Sequence, residues 1–233
     1  EYISKMLDRA EQGGLNIYRL QKSDIDASHP ALAGSINKEN AGAVTLLARA
    51  LHIPEEKIEA GIQQVKSVPG RMEVITAPQG FKIIIDYAVT PDALERLYSD
   101  AKKELKPENK ILGTLSAAGL RDRGKRPDMA RAVAKYADRI IVTREDPWTE
   151  PEEQIFQDLE EGLPPIALAT GGSGLQWQRI VDRKQAIKTL LQEAKPGDIV
   201  ILTGKGAERG MGIGEDVIPW NERELVEEIL KNI

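Results

Sequence analysis

The residues able to do chemistry crowd into four short stretches: 86–92 (DYAVTPD), 116–127 (SAAGLRDRGKRP), 143–151 (TREDPWTEP) and 203–214 (TGKGAERGMGIG). The second carries Arg121, Arg123 and Arg126. A guanidinium offers a forked pair of donors matched to a carboxylate or a phosphate, so this loop reads as an anion site, with a solvated charged turn as the plainer alternative. Gly119, Gly124 and Lys125 also fit the phosphate-loop pattern GxxxxGK, but Arg126 stands where a serine or threonine hydroxyl should reach Mg2+. A nucleotide phosphate loop is therefore disfavoured. The fourth stretch spaces its glycines as GxGxxxGxGxG rather than GxGxxG and follows the last long apolar run, which argues against hydride transfer with a dinucleotide. Lys205 and Glu208 give it a cation and an anion for a zwitterionic ligand, while the glycines by themselves could serve only to let backbones pass closely. Asp86 ends an apolar run, where it can accept from ribose hydroxyls or cap the next turn. His29 and His52 have no partner at metal-ligand spacing and read as structural.

The elements that must position these loops follow from the apolar pattern. FKIIID (81–86), KILGTL (110–115), RIIVT (139–143), IALA (166–169) and DIVILT (198–203) read as short strands apolar on both faces. Helix starts are signalled between them by Thr90 before Pro91, by Pro127, by Thr149 with Glu152, by Asp182 with Gln185 and by Asn221 with Glu224. Strand alternating with helix predicts an α/β fold over 70–233, a Rossmann-like, mostly parallel sheet covered on both faces. Ligands of such sheets bind at the carboxyl ends of the strands, and all four stretches lie there. Residues 1–69 differ. They carry a charged start (EYISKMLDRA), a possible strand (LNIYRL), and a helix pair over about 40–66 from the apolar series Val44, Leu47, Leu51 and Ile58, Ile62, Val65.

Composition narrows the function classes. The 233 residues are 41% apolar, enough for a sizeable core, and 32 basic against 37 acidic residues give a net charge of −5 without a long basic tract, so no nucleic-acid partner is expected. With no cysteine and two histidines, neither a disulfide framework nor a thiolate or histidine metal site is expected. No apolar run approaches a bilayer's thickness and the first residues are charged, so no membrane partner is expected and a cytoplasmic location is.

Taken in order, GRME (70–73), DYAVTPDAL (86–94), RDRGKRP (121–127), EDP (145–147) and GKGAE (204–208) resemble the carboxyl-terminal domain of the Mur ligases, above all those adding the third peptide residue to UDP-N-acetylmuramoyl-dipeptide. Residues 35–69 resemble the end of that family's central ATP-binding domain, so the resemblance makes 1–69 a remnant of it and 70–233 the carboxyl-terminal domain. It implies an enzyme that uses ATP and Mg2+ to phosphorylate a carboxylate of a UDP-N-acetylmuramoyl-peptide, after which an amino acid's amine attacks. Carried over, Asn37 and Asn40 would approach adenine, Arg71 and Asp86 the ribose and phosphates, and Arg121, Glu145, Asp146, Trp148, Gly204 and Glu208 the amino acid. The catalytic phosphate loop and metal ligands of the family belong to sequence this chain lacks, so no catalytic or metal-binding residue is assigned to it, neither ATP nor Mg2+ would be held by it alone, and it would be inactive alone. A non-catalytic binding or assembly module of the same descent is the alternative. Val89 and Ala207 replace family histidines, Leu120 an aspartate, and Trp148 the arginine that diaminopimelate-adding members carry, which weighs against diaminopimelate as substrate.

Overall fold

Along each central strand, neighbouring apolar side chains point to opposite faces, and both faces are covered. The computed structural model describes residues 2–14, 17, 35–165 and 174–233. The expected strand at 166–169, all of LNIYRL except Ile17, and His29 lie outside them. The chain divides into two compact units, Glu1–Lys66 and Ser67–Ile233.

The first unit contains helices α1 (Tyr2–Gln12), α2 (Ser35–Ala50) and α3 (Glu55–Gln64). Ile58 and Ile62 of α3 are buried with Ala41 of α2, and Ala48 packs on them. The face of α2 expected to point inward does not. Val44, Leu47 and Leu51 are 56%, 62% and 65% exposed, while Asn37, Ala41, Gly42 and Thr45 are buried. Small residues let α3 approach α2 closely on that side, and this outweighs the larger apolar side chains on the other.

In the second unit the elements run β1 (Glu73–Thr76), β2 (Lys82–Asp86), α4 (Pro91–Glu104), β3 (Ile111–Leu115), α5 (Lys125–Ala134), β4 (Arg139–Val142), α6 (Glu152–Glu160), β5 (Gln176–Arg179), α7 (Arg183–Glu193), β6 (Ile199–Thr203), β7 (Gly210–Ile213), β8 (Asp216–Pro219) and α8 (Glu222–Leu230). Six strands form a sheet in the order β1-β2-β6-β3-β4-β5, parallel except for β1. Ile84, Ile111, Leu115, Ile140, Val142, Ile199 and Ile201 pack with apolar residues of α4, α5 and α6. Their neighbours Ile83, Ile85, Leu112, Ile141, Val200 and Leu202 pack with those of α7 and α8. This is the expected Rossmann-like, two-faced sheet.

Local signals fix the helix starts. Thr90, Asp182 and Asn221 each cap the third residue's amide, at Ala93, Gln185 and Glu224. The Thr149 signal fails: α6 starts after Pro151, because Trp148 is held in a backbone bridge to Ile213 and the residue before a proline avoids helical geometry. The glycine-rich stretch is not all loop. Its second half is β7, paired antiparallel with β8 in a two-stranded ribbon. No helix among the described residues is long and apolar enough to cross a membrane.

Candidate functional site

The carboxyl ends of β2, β3, β4 and β6 deliver Asp86, Ser116, Glu145 with Asp146, and Gly204 with Lys205 to one end of the sheet. Thr203 ties β6 to β3 there, donating from N and Oγ1 to Thr114 Oγ1 and O at 3.0 and 3.1 Å. Gly204 follows at φ +102, where a Cβ would lie 2.4 Å from Glu145 Oε2 and 2.8 Å from Ser116 Oγ. Only glycine lets β6 end against those two side chains.

Lys205 is fully buried, and its ammonium is shared by two carboxylates. Nζ donates to Asp146 Oδ1 and Oδ2 at 2.7 and 2.8 Å and to Glu208 Oε2 at 2.6 Å. Asp146 Oδ1 also accepts from Gly212 N (2.8 Å), and Glu208 Oε1 from the Tyr87 hydroxyl (3.0 Å). Asp146 and Glu208 keep side-chain exposures of 16% and 38%, so both open to solvent. Lys205 is thus spent internally and is not the free cation for a ligand that the sequence suggested.

Behind this pair Glu145 is buried and accepts from Ser116 Oγ at 2.9 Å. Burial pushes its carboxyl above the usual range, against the pull of Arg183 and of the Ser116 bond. Arg183, also buried, donates to both Glu222 oxygens (3.0 and 2.6 Å), to Thr203 O (2.7 Å) and to Arg144 O (3.2 Å). It therefore stitches the ends of β4 and β6 to the start of α8. Asp86, buried, accepts from Met72 N at 2.7 Å, and burial raises its pKa despite that bond. The Arg71 guanidinium lies 4.9 Å above the Tyr87 ring centroid and, among the described residues, makes no side-chain hydrogen bond or ion pair.

Trp148 forms a wall beside Asp146. Its backbone adopts φ +50, its N–H donates to Gly212 O at 3.2 Å, and a Cβ on Gly212 would fall 2.5 Å from the indole. The ring therefore lies directly on the β7 backbone. On the β3 loop two of the three arginines are already paired. Arg126 is buried among Glu150 and Asp158, and Arg123 forks onto Asp158 at 3.0 Å twice. Arg121 is exposed and, among the described residues, has no side-chain partner, and it makes no ion pair with Glu145, Asp146 or Glu208. Lys125 donates to Val89 O at 2.8 Å, so the GxxxxGK match is a loop clasp. Among the described residues no three metal-ligating side chains gather.

The family model described as Mur ligase, glutamate ligase domain, matches residues 70–206. This chain belongs to the Mur ligase family. Its Mur ligase sequence is 37% identical over 191 residues to a UDP-N-acetylmuramyl-tripeptide synthetase of Roseiflexus sp. (strain RS-1), covering 82% of this chain and 36% of that protein. It is 36% identical over 199 residues to a UDP-N-acetylmuramoyl-L-alanyl-D-glutamate--2,6-diaminopimelate ligase of Bacillus cereus, covering 85% and 38%. A solved structure of a ligase of that second name superposes with a TM-score of 0.63 at 31% identity, covering 85% of this chain and 39% of the other. The chain spans about two fifths of the length of the curated relatives it matches.

Within this Mur ligase domain, Asp86, Glu145, Asp146, Trp148, Gly204 and Glu208 stand on adjoining loops, Arg71 reaches them through Tyr87, and Arg121 stays apart. Asn37, buried, and Asn40, exposed, belong to α2 in the other unit. Ser116, Arg183 and Glu222 were missed as site residues. Arg183 and Glu222 each open a helix, where sequence reads only a start signal, and a pair 39 residues apart leaves no local pattern.

Proposed function

We propose that this Mur ligase domain is the carboxyl-terminal part of an ATP-dependent amide ligase that adds an amino acid to a UDP-N-acetylmuramoyl-peptide during peptidoglycan precursor synthesis. One observation carries the reading. Asp146 and Glu208 share the single ammonium of Lys205, leaving a net negative charge open to solvent, while a neighbouring strand-end loop holds the unpaired guanidinium of Arg121. An amino acid carries the complementary pair, an ammonium and a carboxylate. Arg121 takes the carboxylate in its fork, and Glu208 with Glu145 or Asp146 faces the ammonium. Gly204 lets the Glu145 side chain close in beside them. Trp148 presents an apolar, stacking wall that favours a substrate without a distal carboxylate.

Arg71 and Asp86 serve the ribose and phosphate side of the nucleotide, and Asn37 and Asn40 the adenine. ATP, with Mg2+, supplies the phosphoryl group that activates the peptide carboxylate in the complete enzyme. The residues of this chain bind and orient, and the chain alone neither hydrolyses ATP nor forms an amide, since its sequence holds no GTNGKT-type loop to surround the γ-phosphate.

Amide formation by the complete ligase across a panel of amino acids tests this. Arg121→Lys keeps the charge and loses the fork, so it should weaken amino-acid binding by roughly 1.5 to 3 kcal/mol and leave the KM for ATP nearly unchanged. Trp148→Arg should shift preference toward diaminopimelate. A wild-type preference for diaminopimelate, joined to an unchanged amino-acid KM in Arg121→Lys, would refute the pocket.

A further inference from the structure

The loop between β3 and α5 is held in a conformation its own side chains do not need. Leu120 adopts φ +56, a region an L-residue enters at a cost of roughly 1 kcal/mol, yet the residue is 62% exposed and gains little burial in return. Three consecutive residues are fastened from outside. Ala118 O accepts from Arg126 Nη2 (3.1 Å), Gly119 N donates to Asp146 O (2.8 Å), and Leu120 N donates to Glu150 Oε2 (2.6 Å). Arg126 and Glu150 are themselves a forked pair at 2.7 and 2.8 Å, with the Arg126 side chain fully buried. On the far side of Arg121, Arg123 forks onto Asp158, which also accepts from Arg126 Nη1 at 2.8 Å.

Two arginines and two carboxylates therefore form one neutral network that grips the loop before and after Arg121 and leaves that guanidinium, of the three on the loop, without a partner among the described residues. Hydrogen bonds hold both acids below the usual carboxylate range, Glu150 chiefly through Arg126 and Asp158, at about 2, chiefly through Arg123. We infer that Glu150 is a positioning residue for amino-acid recognition: by holding the Leu120 amide it fixes the left-handed turn that aims Arg121. The inference rests on the reading of Arg121 as the carboxylate-binding residue. Glu150 touches no substrate, and its effect passes through the backbone of Leu120.

The test measures KM for the amino acid and for ATP in the complete ligase for Glu150→Gln, Leu120→Val, Leu120→Asn and Arg121→Lys. Glu150→Gln removes the charge that holds Arg126 while keeping the shape. Leu120→Val changes an exposed side chain, so folding is spared, but its branched Cβ resists φ > 0; asparagine tolerates that region. Both Glu150→Gln and Leu120→Val should raise the amino-acid KM at least fivefold with the ATP KM within twofold, and Leu120→Asn should raise it less than valine does. If Arg121→Lys raises the amino-acid KM while either Glu150→Gln or Leu120→Val leaves it unchanged, the positioning role is wrong and the reading of Arg121 stands. If Arg121→Lys itself changes nothing, that reading has failed and the positioning role falls with it. A rise shared equally by the ATP KM, or an asparagine variant as impaired as the valine one, also overturns it.

Discussion

The Arg126 cluster and the Lys205 cluster sit on adjoining strand-end loops, and each gathers carboxylates around a buried cation, yet the charge is balanced in one and not in the other. Around Arg126, two guanidiniums meet two carboxylates, and Arg123 holds Asp158 down to about 2. Around Lys205, one ammonium is divided between Asp146 and Glu208, and just behind them burial drives the Glu145 carboxyl upward. A closed network is a fastener. An open one, with an excess charge facing solvent, is receptive to a counter-ion, and this is how two chemically similar clusters come to serve anchoring and recognition.

Removing the buried cations tests the contrast most severely. Arg126→Met should cost about 4 kcal/mol of unfolding free energy, since it strands the largely buried Glu150 and leaves Asp158 with Arg123 as its one remaining cation. Lys205→Met should cost less, about 3 kcal/mol, because Glu208 can turn its charge to water. Urea unfolding of both variants decides the order, and equal or reversed losses would break the comparison. Gly212→Ala acts on the recognition side alone: the added methyl meets the Trp148 ring and should cost about 2 kcal/mol or displace the indole, seen as a shift in tryptophan fluorescence. Unaltered fluorescence with unaltered stability would mean that the wall is not seated on β7.

The smallest effect is in pH dependence, and the two clusters should differ in its sign. Asp158 has a lowered pKa in the fold, so its contribution is complete above about pH 4 and disappears between about pH 4 and pH 2. The stability gap between wild type and Asp158→Asn should stay constant down to about pH 4 and then close. Glu145 has a raised pKa, so its charged form costs the fold at neutral pH and that cost is relieved on acidification. Wild type should therefore gain stability relative to Glu145→Gln as the pH falls from 7 toward the usual carboxylate range. Parallel pH profiles for the two gaps would erase the distinction.

The central strands and the crevice were legible in the sequence because buried parallel strands write an apolar run on both faces, and charged loops at their ends stand out against it. β1 and β5 were not. β5 reads QWQR and is nowhere fully buried, since an edge strand packs little and leaves no apolar run. The β7–β8 ribbon was hidden because glycines that read as loop are in fact making room, Gly212 for Trp148. In the site, residue types could be read but pairing could not. Lys205, Arg123 and Arg126 each look like ligand-binding cations until the structure shows the carboxylates that hold them. On α2, the large side chains suggested the wrong inner face, because the contact with α3 is made by Ala41 and Ala48.

Strand order carries a consequence in time. β6, which lies between β2 and β3, is the last strand of the six-stranded sheet to be synthesised. Until it emerges from the ribosome, β2 and β3 face an unfilled slot, and each keeps an open edge of unpaired amides and carbonyls. Nascent chains interrupted before residue 199 should thus be prone to aggregate, and the crevice is born whole, since the insertion that completes the sheet also delivers Gly204 and Lys205 to the acids already waiting on the β4 loop.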